Sequence, residues 1–174
     1  MTASTSPVDR VTPTRRTVLK VTGSTLLASV AFATTGAAAN PHFIRASASG
    51  PDNRGDLRVS FKIAGLGQNV TTTVTASADA SALYACINGG GKNPSAANKR
   101  EETGRVEASG EFTSGRNGQI TGSLTLSPPE STLECPPGQR HVLAEVTYTN
   151  VAVSEPEAGT ESIEGTFSRT FLDL

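Results

Sequence analysis

Leu57-Arg58-Val59-Ser60-Phe61-Lys62-Ile63-Ala64 decides the fold. Leu57, Val59, Phe61 and Ile63 recur at every second position, with Arg58, Ser60 and Lys62 between them, so one face of an extended chain is apolar and the other polar. A helix would scatter the same residues around its circumference. The segment is therefore a half-buried β-strand, and the chain on either side repeats its period of two.

Upstream, His42 to Ser49 reads as a strand that ends in Gly50-Pro51-Asp52-Asn53-Arg54-Gly55, a cluster of turn-forming residues. Downstream, Gly65-Leu66-Gly67-Gln68-Asn69 turns the chain into Val70 to Ala78, where Val and Thr suit a pleated surface. Ser81 to Asn88 follows as a fourth strand. Gly89 to Thr103 carries no apolar periodicity and reads as a long loop. Arg105 to Thr113 and Gln119 to Leu126, joined across Asn117-Gly118, read as a hairpin. Ser127 to Gln139 contains Pro128, Pro129, Pro136 and Pro137 and is excluded from a central strand. A long strand is expected over His141 to Ser154, with Val142, Ala144, Val146 and Tyr148 on one side. The last spans about Ser162 to Phe171, where the four-residue spacing of Ile163, Phe167 and Phe171 implies a bulge or a change of face.

About eight short antiparallel strands and no helical pattern predict an all-β fold, an antiparallel immunoglobulin-like β-sandwich, with a closed β-barrel as the alternative.

The first 39 residues differ in kind. Arg15-Arg16 stands before a stretch of Val, Leu, Ala, Thr and Ser that ends at Ala37-Ala38-Ala39, the pattern of a cleaved twin-arginine signal peptide. A membrane anchor needs about 20 predominantly apolar residues, which Thr and Gly interrupt here. The reading is a leader over 1–39 and a single sandwich domain over 40–174, secreted or displayed at the cell surface, with no membrane span after cleavage.

The chain has 15 Lys and Arg against 16 Asp and Glu. Removing Arg10, Arg15, Arg16, Lys20 and Asp9 with the leader leaves 11 against 15, a net charge of −4. Nucleic-acid binding therefore has no electrostatic basis.

Cys86 and Cys135 are the two cysteines of the chain. In an exported protein they are expected to form one disulfide, with a catalytic thiol as the competing reading. His42 and His141 are the two histidines. Pro41 removes an amide that an N-terminal copper site would need, and His141 reads as a strand-edge residue. No Gly-x-Ser-x-Gly element accompanies the many serines, so no catalytic residues, metal ligands or cofactor-binding residues are assigned. Asp52 to Asp56 holds oxygen ligands without calcium-loop spacing and reads as a turn; its Arg54-Gly55-Asp56 tripeptide carries no weight alone. Asn69-Val70-Thr71 is a glycosylation acceptor sequence. Trp is absent, and Tyr84, beside Lys92 and Asn93 of the Gly-rich loop, is the candidate binding surface, with core packing as its plainer role.

The segments Val59 to Gly67, Thr75 to Ala80, Asn93 to Lys99 and Leu143 to Val151 together resemble a family of small exported β-rich proteins seen in actinobacteria, haloarchaea and some fungi. The resemblance covers nearly all of the chain after the leader and includes paired cysteines at Cys86 and Cys135. It implies an exported, disulfide-linked β domain and brings no catalytic residues with it. The expected role is a non-enzymatic extracellular interaction or structural module, whose partner could be a cell-envelope polysaccharide or protein. A glycan-binding module and an unrecognised hydrolase are the alternatives.

Overall fold

The computed structural model describes residues 40–88 and 98–174. Eight strands run β1 His42–Ser49, β2 Leu57–Ala64, β3 Thr71–Asn88, β4 Lys99–Thr113, β5 Ile120–Leu126, β6 Gln139–Glu155, β7 Gly159–Ile163 and β8 Phe167–Thr170. They form two antiparallel sheets, one ordered β1-β2-β5 and the other β4-β3-β6, with β7 and β8 both pairing to the far side of β6. The sheets pack face to face as a sandwich and do not close into a barrel.

β2 behaves as its alternation predicts. Leu57, Val59, Phe61 and Ile63 are all buried, facing a stripe of Ala76, Ala78, Ala80 and Ala82 and Val74 from β3. The small side chains of one sheet leave room for the large ones of the other, which is how a core reaches close packing. Each large apolar side chain removed from water contributes roughly 1.5–3 kcal/mol.

Four boundaries differ from expectation. Val70 to Ala78 and Ser81 to Asn88 are one strand of 18 residues, because Asp79 faces outward and interrupts nothing on the buried side. β4 starts at Lys99, so the Gly-rich loop is shorter than its composition suggested. Arg105–Thr113 and Gln119–Leu126 do not form a hairpin: β4 pairs with β3 and β5 with β2, so the chain crosses between sheets there. The final segment is two strands, β7 and β8, lying end to end along β6 and interrupted at Gly165, whose φ is +122°.

β6 departs most in its faces. Its register against β3 shifts once between Ser77 and Asp79 and again between Leu83 and Tyr84, leaving an extra residue on β6 each time. Each bulge moves the inward set by one position. The side facing the core is therefore Leu143, then Val146 and Tyr148, then Val151 and Val153, in place of one unbroken alternation. Asn150, at φ +50°, supplies the left-handed turn of the upper bulge. A third bulge in β1 explains why Ile44 is 49% exposed while Phe43 and Ala46 pack on the core.

Candidate functional site

The two sheets differ in length. β3, β4 and β6 have 18, 15 and 17 residues, against 8, 8 and 7 in β1, β2 and β5. At about 3.3 Å per residue the larger sheet is roughly twice as long, so part of its inner face extends past the smaller one. That overhang carries Tyr84, Cys86, Leu143, His141 and Glu102, and the proline-rich segment 127–138 lies across it as a strap.

Four prolines leave the strap with few backbone donors, so side chains of the sheet hold it. The Cys86–Cys135 disulfide fastens one end, with Cα atoms 5.4 Å apart. The Tyr84 hydroxyl donates to the Pro129 carbonyl at 2.7 Å. Glu102 Oε1 accepts from the Thr132 amide at 3.0 Å and its hydroxyl at 2.9 Å. Those two donors, with Arg100 alongside at 2.7 Å, hold the Glu102 carboxyl below its ordinary range. Burial, reinforced by Glu102 and Glu130, pushes the Tyr84 phenol up.

Tyr84 thus presents little to a ligand: its ring stacks on His141 at 4.9 Å and 10°, and its hydroxyl is engaged by the strap. Lys92 and Asn93 lie outside the described residues, as do Arg15 and Arg16. Asp79 and His141 are not brought together. His141 pairs with Cys86 on the inner face, whereas Asp79 lies seven residues away along β3 on the outer face, about 23 Å at strand rise. Asp52 Oδ1 accepts from the amides of Arg54 and Asp56 at 2.7 and 3.0 Å, closing the β1–β2 turn, and the Arg54 amide leads in lowering its pKa. Asn69 sits exposed in the β2–β3 turn at φ +54°.

Sequence reasoning missed the outer face of the long sheet. Arg105 donates to Ser77 Oγ at 2.8 Å, to Asp79 at 3.4 Å and to Glu107 at 3.3 Å, and Asn150 donates to the other Asp79 oxygen at 2.8 Å. Asp79 and Arg105 of this network also line a shallow hollow of about 390 Å³, together with Ser81, Thr103, Thr147 and Thr149. A second hollow, of about 400 Å³ with Glu101 and Glu145, shares Ser81 and Thr147 with it. The readable signal was the odd-numbered Thr and Ser of β3, but which residues of β4 and β6 joined them depended on register.

Two other polar residues are structural. Tyr148, fully buried, donates to the Gly55 carbonyl at 2.8 Å with the Leu126 carbonyl at 3.4 Å, and burial pushes its phenol well up. Glu155, 3% exposed, accepts from Thr72 and from the amides of Glu157 and Ala158, which closes the β6–β7 turn. Among the described residues no group of three or more His, Cys, Asp and Glu is placed to hold a metal ion, and no helix is long and apolar enough to cross a membrane.

No family model and no curated protein matches this chain. Among solved structures, the solution structure of R. palustris CsgH aligns over 75% of this chain and 90% of its own, at 16% identity and a TM-score of 0.25. A likeness at that level carries no inference about role.

Proposed function

We propose that the chain is an exported, non-enzymatic β-sandwich that acts outside the cell or at its surface as an interaction or structural module. The Cys86–Cys135 bridge is the observation that carries this reading, since such bonds persist in oxidising compartments. The twin-arginine pattern before Ala39 agrees with it. Every buried side-chain nitrogen and oxygen among the described residues has a hydrogen-bond partner, and the polar groups of the overhang serve to fasten the strap. The test is to fractionate the producing cells and then to incubate the purified protein with envelope polysaccharides and whole-cell extract. Recovery from the extracellular fraction with the disulfide formed, and a co-purifying component absent from a β-sandwich control, is the expected result. A cytoplasmic protein with two free thiols would overturn it.

Glycan binding is the second reading, favoured by the adjoining hollows over β3, whose Thr103, Thr147 and Thr149 hydroxyls make no side-chain hydrogen bond within the described residues. Affinity electrophoresis in gels containing envelope polysaccharides checks it: retardation of the protein is expected, and unchanged mobility in every polysaccharide rejects it.

A further inference from the structure

Among the described strands, β4 is the outermost of the long sheet, paired with β3 on one side and with no strand on the other. Its pairing with β3 runs unbroken from Lys99↔Ala85 to Thr113↔Thr71, so the edge has no bulge to twist it away, and it contains no proline. β5 approaches near Gly110, where the Leu124 side chain comes within 3.2 Å of an added Cβ. A Cβ at Gly104 would meet nothing within 4 Å, so the inner face is uncovered there, and among the described residues no strand pairs with the Lys99 to Glu107 half, where the strap touches β4 from its inner face at Glu102. An edge of this length and regularity is a template for another strand.

Charge decides which strand fits. The outward residues of this half are Lys99, Glu101, Thr103, Arg105 and Glu107, and those facing inward are Arg100, Glu102, Gly104 and Val106. In a two-fold antiparallel pairing of β4 with itself, residue i lies opposite a residue of the same face, so only registers centred on a residue are allowed. Centred on Thr103, Lys99 faces Glu107 of the second copy and Glu101 faces Arg105, each pair occurring twice. The inward face then sets Arg100 against Val106 and Glu102 against Gly104, with no like charges opposed. Centring on Glu102 instead sets Lys99 against Arg105 and Glu102 against itself. Centring on Gly104 sets Glu101 against Glu107, and centring on Arg105 sets that residue against itself. Arg105 keeps two of its five N–H donors beyond those given to Ser77, Asp79 and Glu107.

We propose that the chain forms a two-fold dimer by antiparallel pairing of the β4 edges centred on Thr103, joining the two long sheets into one continuous sheet. The second copy is selected because the Thr103 register pairs opposite charges while its neighbours oppose like ones; the register centred on Ala108, which pairs Arg105 with Glu111, runs through Gly110, where β5 approaches. The dimer does not depend on the surface role proposed above.

Two measurements test it on the purified, disulfide-bonded protein. In sedimentation equilibrium at low salt, the native protein dimerises, Lys99→Glu weakens association roughly tenfold or more by opposing two acidic pairs, and the double variant Lys99→Glu with Glu107→Lys restores it. Thr103→Cys places two thiols directly opposite each other, at a Cα separation of about 4.5–5.5 Å, so it forms a covalent dimer on oxidation, whereas Thr113→Cys does not. A protein that stays monomeric at millimolar concentration, or a dimer indifferent to Lys99→Glu and not cross-linked through residue 103, overturns the proposal. A circular-dichroism spectrum for each variant that matches the native one confirms that the comparison is between folded proteins.

Discussion

Replacing both Cys86 and Cys135 by Ala tests what the disulfide does. The bridge closes a sequence separation of 49 residues, for which the chain-entropy relation gives about 4 kcal/mol as an upper figure. Unfolding of the 135 residues after Ala39, at about 2.1 cal/mol/K per residue, carries an entropy near 0.28 kcal/mol/K, so the melting temperature falls by up to about 14 °C. The loss leaves the sandwich standing. The bond joins β3 to the strap and does not connect the two sheets, whose cohesion comes from Leu57, Val59, Phe61, Ile63 and the residues they meet. The strap keeps its bonds from Tyr84 and to Glu102. Calorimetry and limited proteolysis are the assays. The variant melts in one cooperative transition at lower temperature, and protease cleaves first between Ser127 and Gly138. Loss of cooperative unfolding, or equal protection of the strap with and without the bond, would refute this account.

Other expectations follow from single contacts. Gly122→Ala puts a Cβ 2.5 Å from Phe112 and 2.9 Å from Phe61, whose rings meet edge to face at 5.0 Å; a cost of about 1–3 kcal/mol is expected by denaturant titration, and Phe112→Leu in the same chain recovers part of it. Tyr148→Phe leaves the Gly55 and Leu126 carbonyls without their donor and lowers stability by about 1–2 kcal/mol, read as a shifted urea midpoint at constant slope. Glu102, whose pKa is depressed in the folded protein, stabilises the strap above its ordinary value of 4.5. That contribution is lost as pH falls from 4.5 through the lower folded value, so an acid protease cuts the strap faster as pH drops through that range, a dependence that Glu102→Gln removes.

The all-β class and the disulfide partners were legible before the structure because each rests on local chemistry: a period of two, and two cysteines in the chain. β2 was legible in full, since it lies between two strands of its sheet with one face in the core. β6 was not. Its two bulges arise because Asn150 and Ala144 have no counterpart on β3, which is a property of two strands together and invisible in either alone.

The same reason governs the β4–β5 connection. Ser114 to Gln119 has hairpin chemistry, with Asn117-Gly118 at its tip, and local reading joins the strands it links. In the folded protein the Ser114 amide donates to the Val70 carbonyl at 2.8 Å, its hydroxyl donates to the Gly67 carbonyl at 2.7 Å, and the Leu66 amide donates to Gly118 at 3.2 Å. The turn is thus bonded to the β2–β3 turn beside it, and both carry the chain from one sheet to the other. The amino-acid sequence by itself determined that these strands exist and which faces of most of them are apolar. The pairing of two distant turns, made by backbone groups that every residue carries, was decided by the tertiary structure alone.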